Sequence, residues 1–286
     1  MKKVSVVLPV YNGENFLASA IESVLGQTYT ELELIIVDDR SKDGTPAIIK
    51  EYAARDARIK PFRNKKNRKL PRSLNIGFLH ATGEYRTWTS HDNLYDPEAI
   101  EKMVNALEEH PECSLVCADL RTVDIEGNPA GEVRLRPPED IFIKNTVGAC
   151  FLYRTSEAKR IGGYDTDLFL AEDYDYWIRL RKTAPFLHLD ECLYTVRVHE
   201  NSLSSQRAKE SNKAYVRMMK KHFKYMYDRI DTVEGRDELV NEMMNRSTTF
   251  GMKLSSVSRI CTRRGDYWLR VLHGWGLNML AKLRGG

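Results

Sequence analysis

Residues 4–10 read Val-Ser-Val-Val-Leu-Pro-Val, a near-continuous apolar and β-branched run. A half-exposed strand would alternate polar and apolar, whereas a strand buried on both faces of a parallel sheet reads like this one. Outward from it, Glu14 to Gln27 sets the apolar pairs Phe16/Leu17, Ala20/Ile21 and Val24/Leu25 four residues apart, which is helical spacing. Leu32 to Val37 is a second buried strand and ends on Asp38-Asp39. Thr45-Pro46 places an N-cap before a first-turn proline and opens a helix carrying Ile48, Ile49, Tyr52 and Ala53. Ile59 to Phe62 is a short third strand, and residues 64–72 (NKKNRKLPR) form a basic loop. A helix from about Ser73 to Ala81 leads to a strand over Glu84–Thr89, and Asp96-Pro97 opens a helix to about His110.

The first 110 residues therefore read βαβαβαβα, the pattern of an α/β, mostly parallel, doubly wound sheet. Ligands of such sheets bind beyond the carboxyl ends of the strands. Those ends carry Pro9-Val10-Tyr11-Asn12, Asp38-Asp39 and His91-Asp92. From Ser114 the pattern changes to the strand runs Leu115–Ala118, Val147–Tyr153, Phe186–Leu189 and Leu193–Val198, with a turn at Glu126–Pro129. Residues 1–205 form one catalytic-type domain, split into 1–110 and 111–205. Residues 206–286 form a helical, basic extension with Met218, Met219, His222, Phe223 and Met226 at helical spacing.

Composition narrows the function classes. The 286 residues carry a formal net charge of only +4, from 44 basic and 40 acidic side chains, so nucleic acid is not an expected partner. Five scattered cysteines with no C-x-x-C pair argue against a zinc site or disulfide framework and suit a reducing compartment. Met1-Lys2-Lys3 runs straight into the first strand, and no run of about 18 apolar residues occurs. A cytoplasmic location is expected. Between Arg259 and Arg284, basic residues interleave with Trp268 and Trp275, so residues 254–286 suit peripheral contact with the inner membrane face. The same stretch can instead pack on the catalytic domain or on a second subunit as a homodimer.

No G-x-G-x-x-G follows the first strand and no P-loop motif occurs, which lowers the odds of a dinucleotide or P-loop site. Tyr11 could stack on a base and Asn12 could bond a ribose or phosphate; an ordinary strand-to-helix turn explains them equally well. Asp39 could accept from a base N–H or a ribose hydroxyl, with helix capping as the alternative. A carboxylate at a strand end, here Asp92 in Thr89-Ser90-His91-Asp92-Asn93, can hold a divalent cation against a diphosphate.

LPVYN (8–12), VDDRSKDGT (37–45), ATGEY (81–85), SHDN (90–93) and AEDYDYW (171–177), in this order and spacing, resemble family 2 glycosyltransferases of the GT-A fold, most closely the spore-coat-polysaccharide type. The resemblance covers about residues 3 to 200. It implies a nucleotide-diphospho-sugar transferase fold and an inverting transfer of one sugar, usually from a UDP-sugar, to a cell-surface glycan or lipid-linked acceptor. It places Pro9, Tyr11, Asn12, Asp39, Arg68 and His91 around the nucleotide. Asp92, with His199 as a second candidate, falls on the metal for Mn2+ or Mg2+, and Asp173 on the general base. Glu172 and Trp177 are assigned to the acceptor wall. The family's two-acid motif has His91 in its first place. The processive Q-x-x-R-W signature is absent at 178–182, so single-sugar transfer is expected. Two other readings compete. One is a non-catalytic nucleotide-sugar-binding module, motivated by His91. The other is a sugar-phosphate nucleotidyltransferase, which would need a glycine- and arginine-rich first loop that Tyr11-Asn12-Gly13-Glu14 does not supply.

Overall fold

The computed structural model describes residues 1–199 and 207–248. Its sheet runs β3-β2-β1-β4-β8-β6-β9-β5, with β7 paired to β6. The strands are β1 Val4–Val10, β2 Leu32–Asp38, β3 Ile59–Arg63, β4 Tyr85–Trp88, β5 Leu94–Tyr95, β6 Leu115–Val123, β7 Pro129–Val133, β8 Cys150–Arg154 and β9 Phe186–Arg197. β1 to β4 are mutually parallel, while β8 pairs antiparallel to both β4 and β6. The expected α/β architecture is present, and every antiparallel pair includes a strand from after residue 110.

The strand pattern reflects burial on both faces. Val7, Ile35 and Val37 join one core cluster with Leu74, Phe78 and Trp177. Val4, Val6, Leu8, Leu34 and Ile36 join the other, with Leu17, Ile21, Val24 and Met103. The covering helices are α1 Leu17–Leu25, α2 Thr45–Arg55, α3 Leu70–Leu79, α4 Ala99–Glu109, α5 Thr155–Ile161 and α6 Glu172–Arg181; α7 Ala208–Arg229 and α8 Val233–Thr248 follow. Gly77 lets α3 lie close on β1, since a Cβ there would come within 2.4 Å of Val7.

β1 is flanked by β2 on one side and β4 on the other, so strand order reverses there. Pro9 sharpens that reversal. Lys3 and Val7 use their carbonyls to accept from Tyr85 and Thr89, so the odd-numbered main-chain groups of β1 face β4. The next N–H in that series would belong to residue 9, which is proline and has none. Pairing of β1 with β4 accordingly ends at Val7–Trp88, whereas pairing with β2 runs on to Val10–Asp38. The two strands part at their carboxyl ends and leave a crevice.

Several boundaries differ from the sequence expectation. α1 starts at Leu17, not Glu14, because the Gly13 carbonyl accepts from Phe16 and Leu17 in a preceding turn. α3 starts at Leu70, not Ser73, with Pro71 in its first turn, where its missing N–H costs nothing. Thr45 is the first residue of α2, and its hydroxyl accepts from Gly13 N–H (2.8 Å) instead of capping the helix. The two strands expected over 186–198 are one strand with register shifts around Asp119 of β6. The short β5 and β7 carry too little apolar signal to stand out.

α7 packs on the same core as α6: Met218, Met219, Phe223 and Met226 are buried in one cluster with Tyr174, Trp177 and Ile178. The basic stretch 254–286 lies outside the described residues. Among the described residues no helix is long and apolar enough to cross a membrane.

Glu33 ties the first strands together. It is buried, accepts from Ser5 Oγ (2.6 Å), Thr82 N (2.7 Å) and Thr82 Oγ1 (2.9 Å), and pairs with Lys60 of β3. Burial pushes its carboxyl up, but Lys60, Ser5 and Thr82 outweigh that and bring it to about 2. A depressed folded value stabilises above the unfolded value of 4.5 and is lost as pH falls toward 2. Glu33→Gln should therefore cost about 3 kcal/mol near neutral pH. In urea unfolding the difference from wild type should shrink steadily between pH 4.5 and 2.

Candidate active site

Four loops meet at the crevice where β1 and β4 part. The β1–α1 turn is latched to the β2–α2 loop: Asn12 N donates to Ser41 Oγ (2.9 Å), and Asn12 Oδ1 accepts from Lys42 N (2.9 Å). Asn12 holds a left-handed φ of 54°, which asparagine tolerates better than most residues. Gly13 lies against His91, and a Cβ there would sit 2.6 Å from His91 Cδ2. This contact closes β1's turn onto the segment after β4. Tyr11, next to it, is 43% exposed, with its ring free to meet a planar ligand. Pro9 lies buried within β1.

Asp39 is 4% exposed, and its carboxylate organises the β3–α3 loop. Oδ1 accepts from Asn64 Nδ2 (2.8 Å) and from the main-chain N–H of Arg68 (2.6 Å); Oδ2 accepts from Lys69 N (2.8 Å). Arg68 thus meets Asp39 through its backbone, while its guanidinium is exposed. Lys69 adopts φ 66° to make its bond, a left-handed conformation costly for a non-glycine residue.

Beyond β4, Asp92 Oδ2 lies 3.1 Å from His199 Nε2, a contact bridging 107 residues of sequence. His199 Nδ1 is buried with no partner among the described residues. Asn93 Oδ1 accepts from Arg197 N (3.1 Å), which fixes the end of β9 beside Asp92. Burial pushes the His91 imidazole below its usual value, the nearby Asp92 charge partly opposing, so the ring is neutral at pH 7. Among the described residues no three His, Cys, Asp or Glu side chains gather as a metal cage. The Asp92–His199 pair is the oxygen-plus-nitrogen donor set at this edge.

Glu172 and Asp173 open α6. Glu172 is 4% exposed, and its Oε2 accepts from Leu170 N (2.5 Å). Asp173 stays partly exposed, with Oδ2 3.3 Å from Asn145 Nδ2. Burial raises both carboxyls, and the Asp173 charge adds to the rise of Glu172, which reaches about 8. Glu172 is turned inward, so it does not line an open acceptor wall. Trp177, also assigned to that wall, is 0% exposed and packs edge-on against Phe151 (centroids 4.6 Å), so it belongs to the core.

Asp175 also lies in the first turn of α6. Fully buried, it accepts from Arg179 Nε, Lys221 Nζ and His222 Nε2, each at 2.8 Å. Burial opposes its ionisation, but His222, Arg179 and Lys221 outweigh that and hold it well below the usual range. The carboxylate thereby bolts α6, with Asp173 in its first turn, to α7. Asn145, Lys69 and His222 were missed in the sequence because their partners lie 28, 30 and 47 residues away.

The sequence model described as "Glycosyl transferase family 2" matches residues 5–161, more than half of the chain. "Putative glycosyltransferase EpsE" of Bacillus subtilis is 37% identical over 202 residues, covering 68% of this chain and 73% of that protein. An uncharacterized glycosyltransferase of Rickettsia typhi is 31% identical over 212 residues, covering 69% of this chain and 64% of its own length. The chain spans only 33% of a similar Rickettsia felis protein. Staphylococcus aureus TarS 1–349 in complex with UDP-GlcNAc superposes with a TM-score of 0.64 at 21% identity, over 94% of this chain and 81% of that one. A Pyrobaculum calidifontis mannosyltransferase in complex with GDP-Man and Mn2+ gives 0.62 at 16%, over 94% and 82%. At those identities the two structures speak for a shared GT-A fold. The sequence matches go further: this chain belongs to glycosyl transferase family 2.

Proposed function

We propose that the protein transfers one glycosyl residue, with inversion, from a UDP-sugar to a hydroxyl of a cell-surface glycan or lipid-linked acceptor. Asp173 is the general base. The observation that carries this reading is the division between two adjacent carboxyls. Glu172 is sealed at 4% exposed, whereas Asp173 beside it stays partly open at the start of α6. An inverting transfer needs one carboxylate to take the acceptor's proton as its oxygen attacks the anomeric carbon, a contribution of about 10²–10⁴ in rate.

At the other end of the site, Tyr11 and Asp39 receive the base. The single bond found at Asp39 Oδ2 leaves a lone pair for a pyrimidine N–H. His91, neutral and set beside Gly13, hydrogen-bonds a ribose hydroxyl. Asp92 and His199 fit a divalent ion: a carboxylate and an imidazole face one another, and the ion's remaining places suit diphosphate oxygens. Mn2+ suits this mixed set better than Mg2+. When bound, such an ion neutralises charge on the departing diphosphate.

The test is incubation with Mn2+ and a panel of nucleotide sugars, following release of nucleoside diphosphate. At least one UDP-sugar should be turned over. Asp173→Asn should lower turnover by about 10²–10⁴ while UDP still binds. Asp92→Ala should weaken Mn2+-dependent UDP binding. UDP binding with no turnover of any donor would leave a binding module instead of an enzyme.

The raised Asp173 carboxyl sets the acid limb of the rate profile above the usual aspartate range, so activity should rise with pH as the base ionises. Stability should move the opposite way. Glu172 carries a raised folded value, so the folded state holds a proton that the unfolded state has lost between pH 4.5 and about 8. Across that window Glu172 should cost up to about 1.4 kcal/mol of stability per pH unit. Denaturant melts of Glu172→Gln should lack that slope; an unchanged slope would contradict the burial argument.

A further inference from the structure

Phe169 stands four residues before Asp173 in the loop that leads into α6, and its ring is partly exposed. Two cations from distant parts of the chain lie on it. Lys69 Nζ is 4.8 Å from the ring centroid, and the Arg207 guanidinium carbon is 5.7 Å from it. Lys69 arrives from the β3–α3 loop and Arg207 from the residue that precedes α7. Both distances are within cation–π range, so one ring meets both head groups.

The cations are poorly neutralised. Among the described residues Lys69 has no ion pair, and the acid that meets the Arg207 guanidinium is exposed Glu210 (3.0 Å). Exposed Lys65, Lys66, Arg68 and Arg72 continue the positive surface of the same loop, and residues 60–72 contain no acid. The facing loop carries Asp165, which is paired with Lys221 (2.8 Å), and Asp167, which is exposed. Both segments that bring these groups together contain a left-handed non-glycine residue: Lys69 at φ 66° and Leu170 at φ 77°. Such conformations persist where the surrounding structure enforces them, and they cluster at functional sites.

We propose that Lys69, Phe169 and Arg207 form the acceptor subsite and that the acceptor carries a phosphate near its reacting sugar. The aromatic ring takes the apolar face of the sugar, the lysine and arginine take the phosphate oxygens, and the adjoining hydroxyl is delivered toward Asp173. This rests on Asp173 as the base and names the substrate class for that site. The phosphate comes either from a lipid diphosphate or from a phosphorylated glycan.

Binding is measured on the whole protein with UDP saturating, so that the donor site is filled. The probes are octyl diphosphate, glucose 6-phosphate and neutral octyl glucoside. At least one phosphorylated probe should bind about tenfold or more tightly than octyl glucoside, and whichever binds tighter identifies the source. Lys69→Met and Arg207→Met should each lose about that factor, and Lys69→Arg and Arg207→Lys should retain most of it. Equal binding of charged and neutral probes, or variants that bind like wild type, overturns the proposal. Should the variants fold poorly, wild type supplies a second reading: octyl diphosphate or glucose 6-phosphate should slow acetylation of Lys69 as mapped by mass spectrometry. Labelling unaffected by either probe also overturns the subsite. Failure to turn over any nucleotide sugar would overturn the proposed function instead and leave the binding result standing.

Discussion

The structure depends on the parting of β1 from β4. Both strands are parallel and buried, and they would pair to their ends if residue 9 had an N–H to offer. Because it is proline, the ladder stops at Val7, and the segments Tyr11–Gly13 and Thr89–Asn93 splay into facing loops. Asp39 and Asp92 reach the same edge for that reason. Parallel strands bring their carboxyl ends to one side, and the reversal of strand order opens room there.

Polar bonds then hold the loops that the apolar core cannot reach. Asp39 gathers Asn64, Arg68 and Lys69, while Asp175 bolts α6 to α7 through Arg179, Lys221 and His222. Each carboxylate is buried, so each relies on these partners to offset the loss of water around it. The helices after residue 206 are therefore coupled to the proposed base through one side chain. A helical appendage of this kind serves positioning as much as packing.

The fold was legible in the first 110 residues because strong periodicities, 3.6 residues for α1 and α4 and unbroken apolar runs for β1 and β2, leave few alternatives. Short elements with little apolar content were not legible: β5 has two residues, and β7 is exposed throughout. The cluster of site residues at one sheet edge could be read from topology. What each atom does there could not. Arg68 offers its backbone rather than its guanidinium, Trp177 turns into the core, and Glu172 is sealed from solvent. Sequence spacing states which residues share an element. Which way a side chain turns depends on partners far along the chain, as Asn145 at Asp173 and His199 at Asp92 illustrate.

In the proposed reaction a carboxylate at the start of α6 activates an acceptor while the nucleotide departs from the strand edge, two groups acting on opposite faces of one anomeric carbon. The most direct measurement is the anomeric configuration of the product, read by proton NMR from the coupling constant of the transferred sugar. The account predicts a configuration opposite to that of the donor. A product that retains the donor's configuration would contradict it, because Asp173 could not then act as base in a single displacement.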